Sequence, residues 1–261
     1  MNYKMRRLLK IELARFPFRI GKLIRLNFFT IFKGTYLSYI PDKYAFNLGW
    51  YKTLKHAFYN EKNIKGWVNK SYLNNAGDLV RFFFLNMALE QLTKENIGGD
   101  IAEIGVYKGN SAFLFAQFAR QTNRQLYLFD TFNGFDERDL KGIDLNKKAS
   151  FADTDLESVK IAVGTDNVTY VPGYFPESLS QVSEDDILSF SLVHIDCDLE
   201  KPIKDALHYF YPKISKGGFL LIHDYANWDG ATKAIDEFFK DKIEKIIPIP
   251  DKSGTVVIRK F

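Results

Sequence analysis

The feature that most constrains the fold is a regular alternation of short apolar runs with longer amphipathic segments, which fills the chain from residue 100 onward. The strand-like runs are 100–105, 125–130, 167–171, 190–196 and 217–222. Apolar residues at helical spacing lie between them, over 109–121, 154–163, 200–211 and 230–240, and precede them over 77–92. Strands that alternate with helices predict a parallel sheet with helices on both faces.

The last residues of the chain refine this prediction. Segments 244–249 and 254–260 are both strand-like, and only a short turn through 251–253 separates them. Such a short connection makes an antiparallel hairpin, because a parallel crossover needs a dozen or more residues. We therefore predict an α/β, Rossmann-like, doubly wound and mostly parallel sheet of seven strands that ends in a hairpin. This architecture resembles the class I S-adenosylmethionine-dependent methyltransferases more than a NAD-binding domain.

Composition excludes several classes of protein. The 261 residues are 46% hydrophobic and include 24 Phe and 14 Tyr, which is too much apolar area for a disordered chain. The single cysteine, Cys197, excludes a disulfide framework and a cysteine-based zinc site. The net charge of +4 divides unevenly, because residues 1–33 carry +8 and the remainder −4.

The basic segment 1–33 is interleaved with bulky apolar residues. It contains no apolar run long enough to span a bilayer and no small-residue cleavage site, so neither a spanning helix nor a secretory signal is predicted. Two interpretations stay open: an arm that packs on the body or on a second subunit of a homo-oligomer, and a helix lying on an anionic membrane. Because segment 1–33 contains no recognisable nucleic-acid-binding motif, we predict no nucleic-acid partner. We expect a mostly helical extension over 1–75, a catalytic domain over 76–261, and a cytoplasmic location that leaves peripheral membrane contact open.

The ends of the predicted strands carry the residues suited to chemistry, since open parallel sheets bind ligands there. The first strand ends in an acidic-x-Gly-x-x-x-Gly pattern, Glu103 to Gly109, which suits a cationic ligand better than a pyrophosphate. The second ends in Asp130, at the position where doubly wound nucleotide sites bind ribose hydroxyls.

Two further strand ends should converge, because they belong to neighbouring parallel strands. They bring together Asp196, His223 and Asp224. Carboxylates with one imidazole are credible ligands for a divalent ion, and they equally form a metal-free acid–base cluster in which Asp196 or His223 takes the proton of a substrate hydroxyl. We expect Asp198 to cap the helix that starts near Glu200, and His194 to be a satisfied core histidine.

Taken in order, these segments resemble the macrocin O-methyltransferase family, which methylates sugar hydroxyls. The similar pieces span roughly residues 77–240 and include 103–106, 130–135, 171–179, 195–199, 211–219 and 223–225. The resemblance implies S-adenosylmethionine as cofactor, a divalent metal (Mg²⁺ or Mn²⁺), and a glycan or small-molecule acceptor. The implied cofactor-binding residues are Glu103, Gly105, Val106, Tyr107, Gly109, Ser111, Asp130, Thr131, Phe132 and Gly173. The implied metal ligands are Asp196, His223 and Asp224, with Asp196 and His223 as the catalytic pair.

One departure from the family affects the metal. Members usually carry two acidic residues on the fifth strand, and the first of them is His223 here. Imidazole binds Mn²⁺, Fe²⁺ or Zn²⁺ but is a poor ligand for Mg²⁺. Three alternatives therefore stay open beside the metal-assisted O-methyltransferase: a metal-independent acid–base methyltransferase, a related iron-dependent hydroxylase, and a non-catalytic partner in polysaccharide assembly. Residues 136–153 are expected to form a mobile lid.

Overall fold

The computed structural model describes residues 78–147, 150–183 and 189–261. The predictions for segment 1–75, including the arm and membrane interpretations of 1–33, lie outside the described residues. Among the helices of the described part, none has the length and apolar character needed to cross a bilayer.

The predicted helices and strands are all present, most within one or two residues of the expected bounds. The helices are α1 (Leu79–Lys94), α2 (Asn110–Thr122), α3 (Leu156–Val163), α4 (Glu200–Phe210) and α5 (Asp229–Phe239). The strands are β1 (Asp100–Ile104), β2 (Leu126–Asp130), β3 (Val168–Pro172), β4 (Phe190–Ile195), β5 (Ile214–Ile222), β6 (Ile247–Pro248) and β7 (Val256–Arg259). β5 begins three residues earlier than predicted.

The seven strands form one sheet in the order β3-β2-β1-β4-β5-β7-β6. The first five strands in the chain pair in parallel, while β7 pairs antiparallel with both β5 and β6. This confirms the doubly wound sheet and its terminal hairpin. Strand order reverses between β1 and β4, which is the crevice where such sheets bind ligands.

Side chains that alternate along the strands pack into two hydrophobic cores, one on each face of the sheet. Ile101 and Leu128 face the cluster formed with α1, α2 and α3, whereas Ala102 and Phe129 face the cluster formed with α4 and α5. Because successive side chains of a strand point to opposite faces, helices must cover both faces to bury these apolar runs.

Register then aligns the strand ends that carry the polar residues. Ile104 of β1 pairs with Ile195 of β4, and Ile195 pairs with Ile222 of β5. The next residue of each strand, Asp196 in β4 and His223 in β5, is therefore placed side by side at one edge of the sheet.

Candidate active site

A cavity of about 420 Å³ opens at the carboxyl ends of β1, β2, β4 and β5. Ten of the residues predicted from the sequence line it together: Gly105, Val106, Tyr107, Ser111, Asp130, Thr131, Gly173, Asp196, His223 and Asp224. The predicted cofactor and catalytic groups thus share one cavity at the reversal of strand order.

Asp130 joins two of the loops that shape this cavity. Its Oδ2 accepts hydrogen bonds from the backbone N–H groups of Val106 (2.6 Å) and Tyr107 (2.9 Å), and its Oδ1 accepts one from Phe132 (2.6 Å). Burial raises the pKa of Asp130, and the three backbone donors oppose that shift. The carboxylate therefore fixes the loop after β1 against the end of β2 while it lines the cavity.

Three predicted cofactor residues do not line the cavity. Glu103 is fully buried beneath it and accepts hydrogen bonds from the hydroxyl of Ser111 and from His194 Nδ1, 2.8 Å away. Burial raises the pKa of Glu103 well above its usual range, and the side chain lies outside the cavity lining. Gly109 lies at the start of α2 against Val163, and Phe132 packs in the core.

The two glycines of the first loop serve close packing. Gly105 has φ +86°, and a Cβ there would lie 2.1 Å from the carbonyl oxygen of Asp196. Gly109 has φ +77° and abuts Val163, where a Cβ would lie 2.6 Å from a methyl carbon. Gly105 thus lets the end of β1 approach the end of β4, and this contact brings the loop after β1 beside Asp196.

The acidic cluster is centred on His223. Its Nδ1 lies 2.9 Å from Asp196 Oδ1 and 2.9 Å from Asp224 Oδ2. Burial and Arg81 lower the pKa of His223, but Asp224 and Asp196 outweigh them and raise it to about 10. Burial likewise raises the pKa of Asp196, yet Arg81 and His223 hold it well below its usual range. The cluster therefore contains an imidazolium between two carboxylates.

Arg81 is a cavity residue that the sequence analysis missed. Its Nη2 lies 2.5 Å from Asp196 Oδ2 and 3.0 Å from His194 Nε2. Its position on α1 could have revealed it, because it shares the buried helix face of Leu85 and Ala88 at i+4 and i+7. The expectation that His194 is a satisfied core histidine is confirmed, since both ring nitrogens have partners.

The expectation for Asp198 is wrong. The cap position of α4 is Leu199, without a side-chain cap, and the backbone N–H of Glu200 donates instead to Asp144 Oδ2 at 2.8 Å. Asp198 is buried at the cavity wall and hydrogen-bonded to Asp224, and burial raises its pKa well above its usual range. Its place two residues after Asp196, past the end of the same strand, was the available signal, although the chain turns there, since Asp198 has φ +61°.

The segment 136–153, expected as a lid, borders the cavity, and several of its described residues are hydrogen-bonded to the body, among them Asp139 to Tyr174 and Asp153 to Tyr107. Asp144 binds the start of α4, as above, and Thr154, just beyond the segment, donates from its hydroxyl to the carbonyl of Tyr107 at 2.6 Å. Four aromatic rings in edge-to-face contact follow the cavity wall, in the order Tyr107, Phe151, Phe135 and Trp228. They provide an apolar wall beside the acidic cluster.

Residues 77–257 match the family model for macrocin-O-methyltransferase (TylF). The chain belongs to the macrocin-O-methyltransferase family. This confirms the resemblance inferred from the strand-end motifs, and it makes the protein an O-methyltransferase enzyme.

Two characterised relatives and two solved structures illustrate the family likeness. The 8-demethyl-8-(2,3-dimethoxy-α-L-rhamnosyl)-tetracenomycin-C 4′-O-methyltransferase of Streptomyces olivaceus is 27% identical over 193 residues, covering 69% of this chain and 72% of the relative. The demethyldecarbamoylnovobiocin O-methyltransferase of Streptomyces niveus is 24% identical over 168 residues, covering 59% and 63%.

The solved structures support the fold. The O-methyltransferase NovP superposes with a TM-score of 0.61 at 24% identity, covering 69% of this chain and 79% of NovP. The calicheamicin methyltransferase CalS11 superposes with a TM-score of 0.56 at 19% identity, covering 84% and 93%. Both share the Rossmann-like methyltransferase architecture described above.

Proposed function

We propose that this enzyme transfers the methyl group of S-adenosylmethionine to a hydroxyl of a sugar in a glycan or glycosylated metabolite. The observation that carries the proposal is the shared cavity, in which Asp130 and the loop after β1 lie beside Asp196 and Asp224. The name of the S. olivaceus relative, which describes methylation of a rhamnosyl compound, supports a sugar acceptor. We assign the activity to residues 76–261, and the family match over 77–257 supports that boundary.

The cavity suits S-adenosylmethionine in size and polarity. Its volume of about 420 Å³ falls within the range of small-molecule sites. Asn110 lines it at the start of α2, and its Oδ1 is buried without a hydrogen-bond partner among the described residues, so it can accept from a ligand ammonium group. Asp130 keeps lone pairs for ribose hydroxyls beyond its three backbone donors. Val106, Tyr107, Ser111, Thr131 and Gly173 complete the proposed cofactor wall.

When bound, S-adenosylmethionine supplies an electrophilic methyl carbon whose bond to sulfur breaks as the acceptor oxygen bonds to it. Asp196, held as a carboxylate, accepts the hydrogen bond of the acceptor hydroxyl and takes its proton only as the new C–O bond forms, because its lowered pKa makes it too weak a base to deprotonate the free hydroxyl. His223 fixes the direction of the Asp196 and Asp224 side chains. The aromatic wall from Tyr107 to Trp228 excludes water and packs against the apolar face of a sugar ring. The enzyme thus works mainly by aligning the oxygen with the methyl carbon.

The divalent metal implied by the resemblance does not fit this arrangement. Ligand atoms of Asp196, His223 and Asp224 lie within 4.8 Å of one another, which is the spacing of a metal site. Each oxygen of Asp196 is nevertheless bound to a nitrogen donor, Oδ2 to Arg81 at 2.5 Å and Oδ1 to His223 at 2.9 Å. Each oxygen keeps a further lone pair, but a metal there would lie against the hydrogen on His223 Nδ1 and against the guanidinium of Arg81, so no step of the proposed reaction uses one.

Calorimetry with S-adenosylhomocysteine tests the cofactor assignment. We expect wild type to bind it and Asp130→Asn to bind it about 10- to 100-fold more weakly, because a charged hydrogen-bond acceptor is lost. The control is Asp166→Asn, the same substitution at an exposed carboxylate outside the cavity. Failure of wild type to bind, or undiminished binding by Asp130→Asn, would contradict the proposal.

Mass spectrometry of reaction mixtures tests the acceptor class. Nucleotide-linked sugars and glycosylated aromatic compounds serve as acceptors, and a catechol serves as a phenolic control. A methyl gain on sugar hydroxyls is the expected result. Methylation of the catechol alone would show that the acceptor class is wrong while leaving the cofactor assignment intact.

A further inference from the structure

Helix α1 places an arginine inside the catalytic cavity. Asp78 caps the helix, because its Oδ1 accepts the backbone N–H of Arg81 at 3.1 Å. Arg81 therefore lies in the first turn, with its side chain only 8% exposed. A guanidinium stays charged at every pH a protein tolerates, so a permanent positive charge is buried beside Asp196.

The guanidinium is held by a buried chain of polar groups. Its Nη2 donates to His194 Nε2, and because that nitrogen accepts, His194 carries its hydrogen on Nδ1 and donates it to Glu103, 2.8 Å away. Glu103 in turn accepts from the hydroxyl of Ser111, at the start of α2. A buried hydrogen-bond network therefore holds Arg81 in place. It runs from α1 through β4 and β1 to Ser111 in the proposed cofactor wall.

His223 presents its hydrogen-bearing nitrogen to the acidic cluster. Nδ1 lies 2.9 Å from one oxygen of Asp196 and 2.9 Å from one of Asp224. Two carboxylate oxygens at hydrogen-bond distance require a hydrogen on that nitrogen, whichever the charge of the ring. A nitrogen that carries a hydrogen has no lone pair for a metal bound to Asp196 and Asp224. The other ring nitrogen, Nε2, has no hydrogen-bond partner among the described residues, and His223 also offers a ligand atom within 4.8 Å of those of Asp78 and Asp251.

From this geometry we propose that Arg81 is the resident cation of the site: it holds Asp196 in position and takes the place that a divalent metal would otherwise occupy. The inference rests on the proposed methyl transfer and names a positioning residue for it. A metal ion at Asp196 would lie against the guanidinium and repel it. Moving Arg81 away would leave a buried charge unpaired, which is strongly unfavourable.

The side chain also offers a donor to the acceptor. Arg81 Nε is buried and lacks a hydrogen-bond partner among the described residues, and Arg81 contributes to the cavity wall. An oxygen next to the reacting hydroxyl can accept from this N–H. Arg81 would then orient the sugar by hydrogen bonds, as a metal does by binding two neighbouring oxygens.

The first test measures Mn²⁺ binding to the full-length wild type by electron paramagnetic resonance, in the presence of S-adenosylhomocysteine. We expect no binding tighter than about 1 mM, and methyl transfer within about twofold of its initial rate in EDTA. Mn²⁺ binding that disappears in Asp196→Asn would overturn the proposal. Calorimetry with S-adenosylhomocysteine alone separates this outcome from failure of the proposed function.

The second test builds a metal site by substitution. In Arg81→Met combined with His223→Asp the resident cation is gone and the cluster at positions 196, 223 and 224 has three carboxylates, so Mn²⁺ binding should tighten at least about 10-fold over wild type. Arg81→Lys, which keeps a charge, is the matched control and should still exclude Mn²⁺. S-adenosylhomocysteine binding and circular dichroism verify folding. A folded double variant that gains no Mn²⁺ affinity, or an Arg81→Lys variant that gains as much, refutes the role of Arg81.

Discussion

Substitution of Gly105 by alanine tests the close contact between the loop after β1 and the backbone of Asp196. The backbone segments that follow β1 and β4 lie close together there, since Asp196 donates its backbone N–H to the carbonyl of Ile104 at 2.7 Å. An added Cβ would lie 2.1 Å from the Asp196 carbonyl oxygen and 2.6 Å from its carbonyl carbon. Both are backbone atoms, so no side-chain rotation relieves the clash.

The expected loss of stability has two parts. A left-handed φ of +86° costs an alanine about 1–2 kcal/mol. Overpacking against fixed backbone adds about 1–3 kcal/mol or more. We therefore expect Gly105→Ala to lower the free energy of unfolding by about 2–5 kcal/mol, a large share of the total stability of a domain.

Two other glycines separate these parts. Gly142 also has a positive φ (+56°), but no atom lies within 4 Å of the position that a Cβ would take, so Gly142→Ala should lose only the first part. Gly98 has neither feature, and Gly98→Ala should be neutral or slightly stabilising. Urea unfolding followed by circular dichroism compares the three variants. If Gly105→Ala unfolds within about 1 kcal/mol of Gly142→Ala, the close approach of β1 to β4 is not what constrains this position.

Three further predictions concern buried ionisable groups. Glu103→Gln should unfold within about 1 kcal/mol of wild type because the amide oxygen can still accept from Ser111 and His194, whereas Glu103→Ala should cost more than about 2 kcal/mol by leaving both without that partner. Urea unfolding measures the two values. Asp144→Ala should lower stability by about 1 kcal/mol in the same assay, because the first N–H of α4 loses its acceptor. The pKa of His223 is raised from 6.5 to about 10, so its stabilisation is complete below pH 6.5 and is lost as the pH rises through 10. The unfolding free energy of wild type, measured by thermal unfolding, should therefore fall on the order of 3–5 kcal/mol between these limits, and His223→Gln should lack that dependence.

The fold could be predicted from the sequence because its signals are local and repeated. Each strand is a short run bounded by polar residues, and the turn at 251–253 is too short for anything but a hairpin. The start of β5 was missed because Ser215 and Lys216 interrupt its apolar pattern. Their backbone nevertheless continues the strand, since Ile214 pairs with Phe190 before a shift of register.

The site was predictable where chemistry follows directly from a strand end, and less so where tertiary packing decides. Asp196, His223 and Asp224 converge because β4 and β5 are parallel neighbours in register. Arg81 precedes Asp196 by 115 residues in the sequence. Its place on the buried face of α1 is visible in the sequence, but no local pattern indicates that α1 starts beside those strand ends. Asp198 was misassigned because a carboxylate before a helix usually caps it, whereas Asp144 from a distant loop supplies that acceptor here.

Charge balance explains why Arg81 and His223 belong together. With Asp196 and Asp224 ionised, an arginine and an imidazolium neutralise the buried cluster without any ion. If an acidic residue stood at position 223, three carboxylates would face one arginine, and the surplus of two negative charges is what a divalent cation offsets. Either cation alone would leave the cluster charged in a buried place, where an unpaired charge costs several kcal/mol. His223 is therefore best understood together with Arg81, which lies on α1, outside the strand-end motifs. The two cations jointly balance the charges of Asp196 and Asp224.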